Sequence, residues 1–217
     1  MIETMKRDIL SVLDEETVYA TYPKDAYSEM TYPRFLPLMR FYVTRYAVEG
    51  FGHLMIMHTK TKMGMELLTC SFMPKDGILL PYLLLDAMSM KKKRCVFVEY
   101  YGCGQEGLYE ERLLEVSRRY AGLPDYPEKG NWYVEEREAP SLIKTGEAEE
   151  LVAMAKDSVR AYLSSIKEAG HDPSYTEKLL DFREKMITQG NPSSATLERL
   201  LKKDGAVTFM KDVVMPQ

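Results

Sequence analysis

The stretch Met39–Tyr101, MRFYVTRYAVEGFGHLMIMHTKTKMGMELLTCSFMPKDGILLPYLLLDAMSMKKKRCVFVEYY, decides the fold. It divides into five runs rich in apolar, aromatic and β-branched residues: Arg40–Val48, His53–Lys62, Met65–Met73, Pro81–Ser89 and Arg94–Tyr101. Turn signals part them: Glu49-Gly50-Phe51-Gly52, Met63-Gly64, Pro74-Lys75-Asp76-Gly77 and Met90-Lys91-Lys92-Lys93. Parallel neighbours need long crossovers, and none of these connections is long enough, so each pair is antiparallel. The block predicts a five-stranded antiparallel meander.

On either side of this block the pattern changes. Residues 1–38 read as a short helix, Met5–Leu13, and then a Tyr- and Pro-rich irregular segment. Residues 105–217 shift to a period near 3.6. Gly107–Tyr120 reads as a helix carrying Leu108, Leu113, Leu114 and Val116. A longer helix is predicted over Gly146–Ala169, with Leu151, Ala155, Val159, Tyr162 and Ile166 as its buried stripe. A third spans Ser174–Thr188, with Tyr175, Leu179, Phe182 and Met186 inward. A short helix around Leu197–Leu201 and a last helical turn after Gly205 complete the chain. Strands first and helices after describe one α+β domain over 1–217, its helices covering the sheet.

Composition narrows the class. Lys plus Arg is 29 and Asp plus Glu is 33, a net charge of −4, so the basic footprint of a nucleic-acid binder is missing. Three cysteines with no CxxC fit neither a disulfide framework nor a zinc site, and they suit a reducing, cytoplasmic setting. The longest apolar stretch, Ile78–Leu85, is too short to span a bilayer, so the expected chain is soluble, with no membrane partner. No HExxH, GxSxG or P-loop occurs. Against one Trp and seven Phe stand 15 Met and 15 Tyr, which suits an adaptable, partly polar interior.

Four features invite a chemical reading. Gly102–Gly107 matches GxGxxG literally, but the preceding sheet reads antiparallel and no βαβ unit surrounds it, so a dinucleotide site is not expected. Asp86 sits inside the apolar run Pro81–Ser89, on the face of Tyr82, Leu84 and Met88. A carboxylate there either has a raised pKa, as a general acid needs, or stands solvated at a sheet rim. His58 lies on the strand face of Leu54 and Ile56, where it is either structural or a proton partner to a carboxylate on a neighbouring strand. The run Lys91-Lys92-Lys93-Arg94 is either a solvated turn, a docking patch for an acidic protein, or an anchor for ligand carboxylates.

The segment Thr69-Cys-Ser-Phe-Met-Pro74, followed by Leu80-Pro81-Tyr-Leu-Leu-Leu-Asp86, resembles the ferredoxin-dependent bilin reductases, whose signature here is Phe-x-Pro and then Pro-x-Phe-Gly-x-Asp. The C-terminal stretch Phe182–Asn191, Leu197, Gly205 and Phe209–Val214 is similar to that family's ending. The resemblance implies a three-layer α/β/α sandwich holding a linear tetrapyrrole between the sheet and the C-terminal helices. It implies reduction by successive one-electron transfers from ferredoxin, with no bound metal or flavin, and Asp86 as the proton donor. Thr69, Tyr82, Met88 and Asn191 would then line the ligand, and Arg45 or Lys91–Arg94 would meet its carboxylates or the electron donor.

The chain also departs from the pattern. Thr69 stands where some members carry a catalytic His, Leu84-Leu85 replaces Phe-Gly, and Asn191-Pro192-Ser193 replaces Asn-Asp-Lys. His58 would supply the missing imidazole if its face turned toward Asp86. The other readings are a non-catalytic binding protein on the same fold and an α+β protein-interaction domain.

Overall fold

The computed structural model describes residues 1–217 except 34, 106, 109, 110, 129 and 192. Glu106 of the glycine run, Tyr109 and Glu110 of the helix expected over Gly107–Tyr120, and Pro192 therefore lie outside the described residues.

The five expected strands form with nearly the expected bounds: β3 (Met39–Val48), β4 (Gly52–Thr61), β5 (Met65–Pro74), β6 (Tyr82–Met90) and β7 (Lys93–Tyr101). Each pairs antiparallel with the next. Gly64, at φ +77°, closes the β4–β5 turn in a conformation that favours glycine. Gly52 is required sterically, because a Cβ there would meet the Met73 carbonyl oxygen at 2.4 Å.

Three further strands widen the sheet to eight. Within the segment expected to be irregular, β1 (Tyr19–Thr21) and β2 (Glu29–Tyr32) both pair with β3. On the far side β8 (Leu142–Thr145) pairs with β7. All three are only three or four residues long, too short for an alternating pattern to register.

Helices cover both faces. On one side lie α1 (Ile2–Glu16), α2 (Glu111–Tyr120) and α3 (Ala148–Ser164), and their core includes Leu54, Ile56, Leu68, Leu83 and Leu85. The helix expected over Gly146–Ala169 ends at Ser164, and Ile166–Glu168 is a separate 3₁₀ turn. On the other side lie α4 (Ser174–Thr188) and α5 (Ser194–Phe209), followed by a π-helical turn over Met210–Val214. The two helical pieces expected at the end are parts of α5, separated by Lys202 at φ +62° and ψ 171°. The α/β/α sandwich is thus present in full.

The two residue types in excess have distinct places. Met30, Met39, Met55, Met57, Met65, Met73, Met88 and Met90 are all the methionines in strands, and the register puts every one on the face under α4 and α5. Buried tyrosines tie the layers together. Tyr162 of α3 donates to the Pro81 carbonyl at 2.7 Å, and Tyr175 of α4 donates to the Leu80 carbonyl at 2.9 Å. Helices from opposite faces thereby clamp the connection that leads into β6, and the buried phenols keep their hydrogen bonds.

Candidate functional site

Strand register fixes what can meet. Asp86 pairs with Thr69 on β5 and with Phe97 on β7, and Thr69 in turn pairs with Met57 on β4. This row faces α4 and α5. Between sheet and helices runs a cavity of about 580 Å³, within the range of small-molecule sites. Its sheet wall includes Phe41, Met57, Thr69, Asp86, Met88 and Glu99. Its cover comes from Tyr126, Tyr133 and Arg137 of the loop before β8, and from Ser193 and Leu197 at the start of α5.

Asp86 is the half-buried acid of this wall. Thr69 Oγ1 donates to its Oδ1 at 2.5 Å. Burial pushes the Asp86 carboxyl up to about 7, against the Thr69 bond, which favours the ionised form, and with help from the neighbouring Glu99 charge. Near neutral pH such a group is divided between acid and carboxylate, so it can both give and regain a proton.

Beside it Glu99 is buried, also with its carboxyl raised by burial, although Arg137 opposes the shift. Tyr101 donates to Glu99 Oε1 at 2.8 Å and Arg137 Nε does so at 2.7 Å. Arg137 also grips both carboxylate oxygens of Glu128, at 2.6 and 2.8 Å, a two-pronged geometry that ties the covering loop to β7. A buried arginine held between two carboxylates is stiff, so this side of the cavity is preformed.

Other expected residues fall elsewhere. His58 pairs with Leu68, not Thr69, and so points to the opposite face, toward α1. Its ring lies 3.7 Å from Glu3 and 3.6 Å from Glu66. Burial holds its pKa below the usual histidine value, with Glu3 opposing. The odd–even alternation of β4 separates it from Asp86 by the thickness of the sheet, and it is not the proton partner sought on sequence grounds. Arg45 is on the cavity face, but it pairs with Asp25 at 2.5 Å and does not line the 580 Å³ cavity.

Tyr82 and Asn191 line a deeper pocket of about 30 Å³ that shares Met57, Thr69, Asp86, Ser193 and Leu197 with the larger one. Tyr82 lies 3.0 Å from Ser71 Oγ. Asn191 spends its polar atoms on the chain: its Nδ2 donates to the Met186 carbonyl at 3.2 Å and its Oδ1 accepts from Ser193 N–H at 2.9 Å. Lys91, Lys92 and Lys93 are exposed at the β6–β7 hairpin, whereas Arg94 pairs with Glu147 at 2.9 Å.

Two residues of the wall escaped the sequence reading. Glu99 carries the same signal as Asp86, a carboxylate inside an apolar run. Arg137 lies in a loop with no period, and only its partners mark it. Among the described residues no cluster of three or more metal-binding side chains occurs, and no helix is long and apolar enough to cross a membrane.

This geometry has a counterpart among solved structures. Phytochromobilin synthase from tomato, solved in complex with biliverdin, superimposes with a TM-score of 0.78 over 96% of this chain and 82% of that one, at 16% identity. The two share a fold. No family model matches the sequence, and no curated protein matches it. The three-layer arrangement implied by the resemblance at Phe-x-Pro and Pro-x-x-x-x-Asp86 is therefore present, and it is the fold of that phytochromobilin synthase.

Proposed function

We propose that the chain binds a linear tetrapyrrole, or a similarly flat conjugated molecule, in the cavity between the sheet and α4–α5, and reduces it with electrons delivered one at a time by ferredoxin. One observation carries this reading: an acid poised near neutrality, Asp86, stands in the wall of a ligand-sized, Met-lined cavity. The shared fold with a biliverdin-bound phytochromobilin synthase supports the ligand class.

The balance is simple. Each two-electron reduction of a bilin takes up two electrons and two protons. The electrons come from two ferredoxins, each oxidised by one electron. Asp86 gives the first proton to the ligand radical and is left as a carboxylate, which the Thr69 hydroxyl stabilises at Oδ1. A proton from solvent restores the acid, and the raised pKa makes that return favourable near pH 7. The second proton follows the same route. Met57, Met65 and Met88 offer soft, adaptable contacts to a conjugated ring system.

The test is optical. Purified protein mixed with biliverdin should shift the pigment's visible absorption, and reduced ferredoxin should then bleach it. A shift without bleaching favours binding alone. No shift removes the tetrapyrrole reading.

A further inference from the structure

One end of the sheet gathers features that the cavity chemistry does not use. Phe35 is 98% exposed and Met63 is 84% exposed, with Leu36 and Leu38 also open to solvent. Single exposed apolar residues are ordinary, but four together on adjoining tips are not. The loop that carries Phe35 is tied to the β4–β5 turn that carries Met63, because Lys62 N–H donates to the Leu38 carbonyl at 2.9 Å. The β6–β7 hairpin lies alongside, since Met65 pairs with Met90.

The same end is basic in a chain of net charge −4. Lys62, Lys91, Lys92 and Lys93 are all exposed there, and none has a carboxylate partner among the described residues. Elsewhere several cations are matched, as in Lys60–Glu3, Arg112–Glu168, Arg119–Asp157 and Arg160–Glu15. The nearest acid on the strands, Glu66, faces the other side of the sheet, toward His58. The cavity lining extends to this end through Met39, Met65 and Met88.

We propose that this rim, Phe35 and Met63 flanked by Lys62 and Lys91–Lys93, rests on an anionic lipid surface. Apolar tips that stand almost fully exposed suit insertion into a soft interface, and lysines around them suit anionic headgroups. Protein interfaces favour arginine and aromatic anchors and are depleted in lysine, which argues against a protein as the occupant. Such a surface lies on a bilayer without crossing it. It would bring the Met-lined cavity next to the phase in which flat conjugated molecules partition. The inference does not depend on which molecule the cavity takes.

Vesicle co-sedimentation tests it with phosphatidylcholine alone and with added phosphatidylserine. The protein should pellet with the mixed vesicles and stay in solution with phosphatidylcholine, and added salt should release it. Lys91→Ala and Lys92→Ala should each weaken binding by roughly fivefold, and Phe35→Ser with Met63→Ser should weaken it further. All four side chains are exposed, so the thermal melt of each variant should match the parent. Absence from both pellets overturns the proposal. So does binding to an acidic protein such as ferredoxin that the same substitutions weaken while vesicles are ignored, because the rim is then a protein-docking surface.

Discussion

Thr69 Oγ1 donates a 2.5 Å hydrogen bond to Asp86 Oδ1 across the β5–β6 pair. The bond favours the ionised carboxylate, while burial favours the acid. The site's proton affinity is the balance of the two. Thr69→Val removes the donor and keeps the shape, so the Asp86 pKa should rise above about 7, by about one pH unit for a charge-assisted bond. A carboxyl-carbon NMR titration of the free protein measures it. An unchanged or lowered midpoint would show that the bond does not tune the acid.

The same carboxyl makes stability depend on pH. Unfolded, it ionises near 3.8; folded, near 7. Between those values the folded state holds more protons, so the contribution of Asp86 to stability falls as pH rises through this window. At about 1.4 kcal/mol per pH unit the cost above neutrality is at most about 4 kcal/mol. Asp86→Asn should therefore stabilise the protein at pH 8 and change little at pH 4, as read from urea unfolding at both pH values. Destabilisation at pH 8 would contradict a raised pKa.

Arg137 should behave differently. It neutralises the buried Glu99 and holds Glu128 of the covering loop. Arg137→Ala leaves Glu99 without its cation and with the Tyr101 hydroxyl as its remaining partner, and breaking a buried ion pair in this way typically costs about 3–5 kcal/mol. The double variant Arg137→Ala with Glu99→Gln should recover much of that loss. Denaturant midpoints of the single and double variants decide the matter; no recovery would mean that the two residues do not act as a pair.

His58 supplies a control from the other face. Its ring meets Glu3 and Glu66 and is shut off from the cavity by the sheet. His58→Gln should leave the biliverdin spectrum and the rate of bleaching unchanged. A spectral shift would place the imidazole near the ligand and contradict the register.

The parts of the fold legible in sequence were those with a clear period and clear breaks. Ser174–Thr188 is helical over the expected residues because Tyr175, Leu179, Phe182 and Met186 repeat at helical spacing and Gly190 follows. The strands β1, β2 and β8 were not legible, because they are stabilised by the neighbours they pair with and not by a pattern of their own. In the site, Asp86 announced itself as a charge on an apolar strand. His58 looked equally suggestive, and only the one-residue register between His58 and Met57 sends it to the other side. Arg137 was invisible, since its role comes from the carboxylates that converge on it and not from its neighbours in the chain.

If Asp86 supplies the proton for a reduction within the cavity, loading the parent and Asp86→Asn with biliverdin and adding reduced ferredoxin separates the two proteins. Both should show the same kind of absorption shift on binding, followed by bleaching in the parent and none in Asp86→Asn. Bleaching of the variant at the parent's rate would contradict that role of Asp86.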